Sequence, residues 1–129
     1  MKKHRIIIAG TRSYKNQEFV NKKISHIIKK LSKDNIEFVE GGEPTGVDRR
    51  GREFAIEHGF PYKTFEADWD KHNKAAGPIR NREMAEYGTH LIAFWDGKSR
   101  GTKNMINEAE KKGLKMIIIR LDMEDIDES

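Results

Sequence analysis

Arg5-Ile6-Ile7-Ile8-Ala9-Gly10-Thr11-Arg12 runs from a β-branched stretch into a glycine turn and an arginine, and this stretch decides the fold. Four apolar residues in succession, with no polar alternation, describe a strand buried on both faces. Such strands belong to parallel sheets covered by helices on each side. A glycine at the strand's end lets the chain turn sharply into a helix.

The flanking sequence repeats that unit. Val20, Ile24, Ile27, Ile28 and Leu31 fall at helical spacing among lysines, which predicts an amphipathic helix over 16–33. Ile36 to Val39 is a second strand. Thr45-Gly46-Val47-Asp48 opens a helix that Gly59 closes, with Phe54 and Ala55 on its inner face. Tyr62 to Phe65 is a third strand. Residues 66–78 have no regular period, and connections of that length are usually functional or disordered; Trp69 favours an ordered, functional loop. Pro78 suits a first helical position, with the helix running to Gly88. Leu91 to Trp95, Thr102 to Lys112 and Met116 to Leu121 complete a strand, a helix and a fifth strand. Five strands alternating with four helices predict an α/β protein: a Rossmann-like three-layer sandwich with a five-stranded, mostly parallel sheet in the order 3-2-1-4-5. Residues 1–121 form one domain and residues 122–129 an acidic tail.

Bulk composition narrows the function classes. No apolar run approaches the length of a membrane span, and the apolar stretch before Gly10 is too short for a signal peptide. The absence of cysteine excludes disulfides and thiolate metal sites and fits a cytoplasmic protein. The net charge of +4 conceals an asymmetry: residues 122–129 carry five acids and no base, which leaves 25 bases against 16 acids over residues 1–121. A basic body suits an anionic partner, although lysine-rich solvated helix faces give the same balance.

Four strand-to-helix junctions carry the chemistry. Glycines let backbone N–H groups approach an anion, and a helix N-terminus adds partial positive charge. Gly10, Thr11 and Arg12 follow the first strand, with Thr11 as donor and Arg12 as an anion clamp. Gly41, Gly42, Glu43, Gly46, Val47 and Asp48 follow the second. Asp48 stands three residues after Thr45, so capping the helix competes with a contact to ribose or an amine. Arg80-Asn81-Arg82 places two arginines in the first turn of a helix, where the dipole favours acids. Arg80 and Arg82 would neutralise a phosphate, and Asn81 would bind a base or a backbone group. Gly101 and Thr102 open the fourth helix, Thr102 being its expected N-cap. Asp96, Asp48 and Glu43 are the candidate catalytic carboxylates. The Asp68, Asp70 and His72 cluster is too weakly spaced to imply a metal, and no cofactor is expected. P-loop, dinucleotide and nucleophile-elbow motifs are absent.

Gly10-Thr11-Arg12, Gly41–Asp48, Ala67-Asp68-Trp69, Ala75–Met84 (containing Ala76-Gly77-Pro78-Ile79-Arg80-Asn81) and Gly101-Thr102 together resemble the YspA-type, cpYpsA-related branch of the SLOG superfamily. The likeness spans roughly residues 5 to 120. Gly46-Val47-Asp48 and Arg80-Asn81-Arg82 are similar to segments of DNA-processing proteins A (Smf). The resemblance implies a Rossmann-like sheet that binds nucleotides, nucleotide-derived signals or single-stranded nucleic acid. Lonely Guy phosphoribohydrolases, a further related family, carry a glutamate within three residues of the corresponding Gly-Thr. Here the first acid after Thr102 is Glu108, which weakens the hydrolase expectation and leaves the phosphate role of the loop intact.

Three functions follow as expectations. The first is binding of a nucleotide or nucleotide-derived ligand over Gly41–Gly46 and Gly101–Thr102, with Arg12, Arg80 and Arg82 neutralising it and Asp48 and Asn81 orienting ribose or base. The second is cleavage of an N-glycosidic bond. The third is binding of single-stranded nucleic acid, with Trp69 or Tyr14 stacking. No membrane partner is expected, and homo-oligomerisation is left open.

Overall fold

The computed structural model describes residues 3–123; most of the acidic tail, residues 124–129, lies outside the described residues. Five strands form one sheet: β1 (His4–Gly10), β2 (Ile36–Glu40), β3 (Tyr62–Thr64), β4 (His90–Trp95) and β5 (Lys115–Arg120). Every pairing is parallel and the order is β3-β2-β1-β4-β5, as expected. The helices are α1 (Gln17–Ile28), α2 (Gly46–His58), α3 (Trp69–His72), α4 (Ala76–Tyr87) and α5 (Arg100–Lys111). None is long and apolar enough to cross a membrane.

The unbroken apolar run of β1 has the predicted cause. Side chains alternate across a strand, so Ile6 and Ile8 point into one layer and Ile7 and Ala9 into the other. Ile6 and Ile8 pack with Val20, Ile24, Phe38, Phe54 and Phe94 beneath α1 and α2. Ile7 and Ala9 pack with Val39, Met84, Leu91, Met105 and Ala109 beneath α4 and α5. Full burial of each isoleucine stabilises the fold by about 1.5–3 kcal/mol. The central strand thus serves both cores, and its C-terminal end meets the turns that leave β2 and β4.

The strand ends differ from the sequence expectation by no more than one residue, and the helices differ from it in four places. α1 starts where Asn16 Oδ1 accepts the Phe19 N–H and stops at Ile28, short of residue 33; Leu31 still packs on the core from the following turn. The 66–78 connection contains a one-turn helix, α3, capped by Asp68. α4 begins at Ala76, so Pro78 takes the third helical position, where its missing N–H has no intrahelical partner to lose. Arg80 and Arg82 consequently lie beyond the first turn. α5 begins at Arg100 with Ser99, not Thr102, as N-cap: Ser99 Oγ accepts the Thr102 N–H at 3.4 Å, and Thr102 is buried inside the helix.

Candidate functional site

The strand order reverses direction at β1 and β4, and ligands of open parallel sheets bind outside the carboxyl ends of the strands at such a point. A cleft opens there. Gly10 and Arg12 from the end of β1, Glu43 and Asp48 from the β2–α2 junction, Arg80 and Asn81 from α4, and Ser99, Gly101 and Thr102 from α5 all line it. Its volume is about 80 Å³, with Met84 and Met105 at its apolar boundary. Three of the four predicted junctions therefore converge with the α4 residues on one site.

Gly10 is obligatory where the cleft meets the sheet. A Cβ there would stand 2.6 Å from the Phe94 carbonyl oxygen and 2.8 Å from Val47. Thr11 returns its N–H to the Phe94 carbonyl at 3.2 Å, and its buried hydroxyl has no partner among the described residues. Arg12 reaches outward, its side chain 68% exposed, with Nε 3.7 Å from Glu43 Oε1.

The β2–α2 junction is tightly satisfied from within. Thr45 occupies the N-cap position of α2 without a side-chain capping bond, and Asp48 lies in the first turn. Asp48 Oδ2 instead accepts the Gly41 N–H at 3.2 Å, so the helix-capping alternative does not hold. Arg80 Nη1 donates to the Gly41 carbonyl and Nε donates to Asn81 Oδ1 at 2.9 Å. A Cβ on Gly41 would fall 2.5 Å from Arg80 Nη1 and 2.8 Å from Asp48 Oδ2. Beneath them, fully buried Glu40 receives Arg52 Nη1 at 2.7 Å, the Gly42 N–H at 2.7 Å and the Thr64 hydroxyl. Gly42 itself takes φ +78° and faces Thr64 and Glu66, outside the cleft lining. Glu40 and Arg52 were missed from sequence; an acid closing an apolar strand just before Gly41-Gly42 was the available signal.

Burial is the main cause that pushes the Asp48 carboxyl up to about 7; Arg80 opposes it, Glu40 and Glu43 add to it, and the Gly41 N–H opposes it. Near neutral pH this matters for the site's charge. Two ionised acids would cancel Arg12 and Arg80, whereas a protonated Asp48 leaves two cations against Glu43 alone.

The remaining predicted residues separate into contributors and outsiders. Asn81, buried, donates to Asn104 Oδ1 at 2.9 Å and to the Gly101 carbonyl at 3.3 Å, and so fixes α4 against α5. Val47 belongs to the α1–α2 core. Gly46, at φ +76°, lies against the Arg12 backbone in a neighbouring groove. Arg82 is 61% exposed and faces Glu108 at 3.8 Å, away from the cleft. Asp96 accepts the Lys98 and Ser99 N–H groups, both at 2.8 Å, which hold its carboxyl below the usual range; it shapes the turn before α5 and does not line the cleft. Trp69 is half exposed, with Gly77 beneath its ring edge.

This is a parallel-sheet α/β protein with a small, polar, arginine-bearing cleft at its topological switch point. Residues 4–72, over half of the chain, match the family model described as YspA, cpYpsA-related SLOG family. The chain belongs to that family. Gene 61 protein of Mycobacterium phage D29 is 44% identical over 52 residues, which cover 40% of this chain and 42% of that protein. DNA processing protein A (DprA) from Streptococcus pneumoniae, solved by X-ray crystallography, superposes with a TM-score of 0.54 at 15% identity, over 96% of this chain and 61% of DprA. That likeness establishes the shared fold.

Proposed function

We propose that the cleft holds the phosphate of a nucleotide or nucleotide-derived ligand. The observation that carries this reading is the convergence of Arg12, Arg80 and the N-terminal residues of α5 on one polar cavity. The positive end of the α5 dipole and two guanidinium groups favour an anion there, and planar guanidinium suits phosphate oxygens. A cleft of about 80 Å³ admits a phosphate group. It is far below the roughly 300–1,000 Å³ that whole small molecules occupy, so the nucleoside extends outside it. Membership of a SLOG family supports a nucleotide-related role.

The test is thermal unfolding with adenosine monophosphate, NAD and cyclic mononucleotides in turn. Ligand at a hundredfold excess over its Kd should stabilise the protein by about 2.7 kcal/mol, read as a rise in Tm. No rise with any of them at millimolar concentration defeats the reading.

Asp48 favours a second reading, hydrolysis of an N-glycosidic bond. A carboxyl poised near neutrality at the cleft is suited to general acid catalysis. Asp48 would donate its proton to the departing base as the C1′–N bond breaks. Water would add to C1′, returning one proton to Asp48. Chromatography of AMP incubated with the protein should reveal free adenine, lost in Asp48→Asn and retained in Asp96→Asn. Turnover that survives Asp48→Asn removes this role.

A further inference from the structure

A second cavity of about 500 Å³ lies beside the first, between the β1–α1 loop and the N-terminus of α2. Arg12 lines both cavities. The second is strongly cationic: Lys15, Arg49 and Arg50 join Arg12 on its wall, and no acid lines it. The N-terminal residues of α2, Thr45 and Gly46, form part of the same wall, and Thr45 makes no side-chain cap. The positive end of a 13-residue helix therefore opens into this groove.

Arg50 supplies the independent sign of a ligand. It is only 6% exposed, and its Nη2 is tied to Glu57 Oε1 at 2.5 Å. Its buried Nε has no hydrogen-bond partner among the described residues. A buried guanidinium N–H left unmade is costly, and such groups normally find an acceptor. Of the other cations, Arg49 pairs with Glu53 at 3.2 Å and Arg12 with Glu43 at 3.7 Å, and both acids lie outside the groove lining, so the wall itself presents only basic charge.

We propose that this groove is a second phosphate subsite, so that the ligand carries anionic groups on two sides of a nucleoside, with Arg12 between them. The inference rests on the proposed phosphate role of the first cleft and deepens it. That cleft is too small for a nucleoside, and the adjoining groove offers both the room and the charge. The shared chemistry is a nucleoside flanked by two phosphates, supplied by a free nucleoside bisphosphate or by one residue of a single strand.

Isothermal titration of the full chain with AMP, adenosine 3′,5′-bisphosphate and a deoxyadenosine pentanucleotide tests this. The bisphosphate should bind at least about tenfold tighter than AMP, the gain expected from one added charge-assisted contact. The exposed pair Lys15→Ser/Arg49→Ser, which spares the core, should remove that gain and leave AMP affinity within about twofold. Arg50→Gln should do the same, with circular dichroism reporting whether it folds. AMP and bisphosphate binding equally, or a gain that survives the double variant, overturns the second subsite and leaves the first intact. Failure of every probe to bind overturns both. If the pentanucleotide binds tighter than the bisphosphate, with a steeper salt dependence, the groove serves a strand; if weaker, it serves a small nucleotide.

Discussion

The β2–α2 and β4–α5 junctions carry similar sequence signals, a carboxylate and a glycine near a helix start, yet they are built in opposite ways. After β2, Asp48 is buried, its carboxyl raised to about 7, and Gly46 lies against the Arg12 backbone. After β4, Asp96 is held below the usual range by two backbone N–H groups, and a Cβ on Gly101 would meet nothing within 4 Å. One junction is closed on itself and the other faces open space. The difference teaches that a glycine motif marks a turn, while its surroundings decide whether the glycine serves packing or access.

Gly46→Ala should break the closed junction with the largest effect. The position has φ +76°, and a Cβ would stand 2.5 Å from the Arg12 Cα and carbonyl oxygen. The left-handed conformation alone costs about 1–2 kcal/mol, and the backbone clash adds to it. A loss of at least about 3 kcal/mol is expected in urea unfolding; a loss below about 1 kcal/mol would mean the junction is not locked.

Arg80→Met comes next. It removes a donor from the Gly41 carbonyl and from Asn81 Oδ1, and it strips Asp48 of the cation that opposes its shift. Breaking a buried polar network from one side costs roughly 2–4 kcal/mol. Arg82→Met, on an exposed side chain 3.8 Å from Glu108, should change stability by less than about 0.5 kcal/mol. AMP affinity should fall in the first variant and hold in the second. Equal effects would erase the distinction between two arginines two residues apart.

That distinction marks where sequence reading ended. Strand order and both helical layers were legible because the isoleucines of β1 and the period of α1 encode burial directly. The convergence of Gly10, Asp48 and Arg80 followed from parallel topology. What could not be read was direction and partner. Arg80 and Arg82 point apart because two residues on a helix differ by about 200° in azimuth. Thr102 was the expected cap, yet Ser99 fills that place because the chain turns three residues earlier around Asp96. Glu40 and Arg52 meet across 12 residues, and no local spacing announces that pair.

The two carboxylates give a pH test. Folded Asp48 titrates near 7, above its ordinary value of 3.8, so the folded state holds an extra proton between those values. Stability must then decline as pH rises from about 4 to 7, by up to roughly 1.4 kcal/mol per unit, and Asp48→Asn should flatten that slope. Phosphate binding should weaken over the upper part of the same window as Asp48 ionises beside it. The phosphate's own second ionisation, near pH ~6, strengthens attraction to arginine with rising pH and cannot imitate this trend. Asp96 shifts downward, so it contributes stability at neutral pH that is lost only in acid. An AMP affinity whose pH dependence between 6 and 8 is the same in Asp48→Asn as in the unaltered chain would place the ionisation of Asp48 elsewhere.

Gly101→Ala makes the smallest change and separates access from packing most cleanly. Gly101 lies within α5, and its added methyl would meet no neighbour, so relief of glycine's conformational freedom should stabilise the helix by about 0.5–1 kcal/mol. Its carbonyl still accepts from Asn81, leaving the α4–α5 contact in place. Yet Gly101 lines the cleft, so a ligand that approaches the backbone there would meet the new methyl. A variant that melts higher while binding AMP more weakly assigns this glycine to ligand access. One that melts higher with unchanged affinity confines phosphate contact to the arginine side of the cleft. A variant that melts lower contradicts the open space around Gly101, and with it the contrast to Gly46.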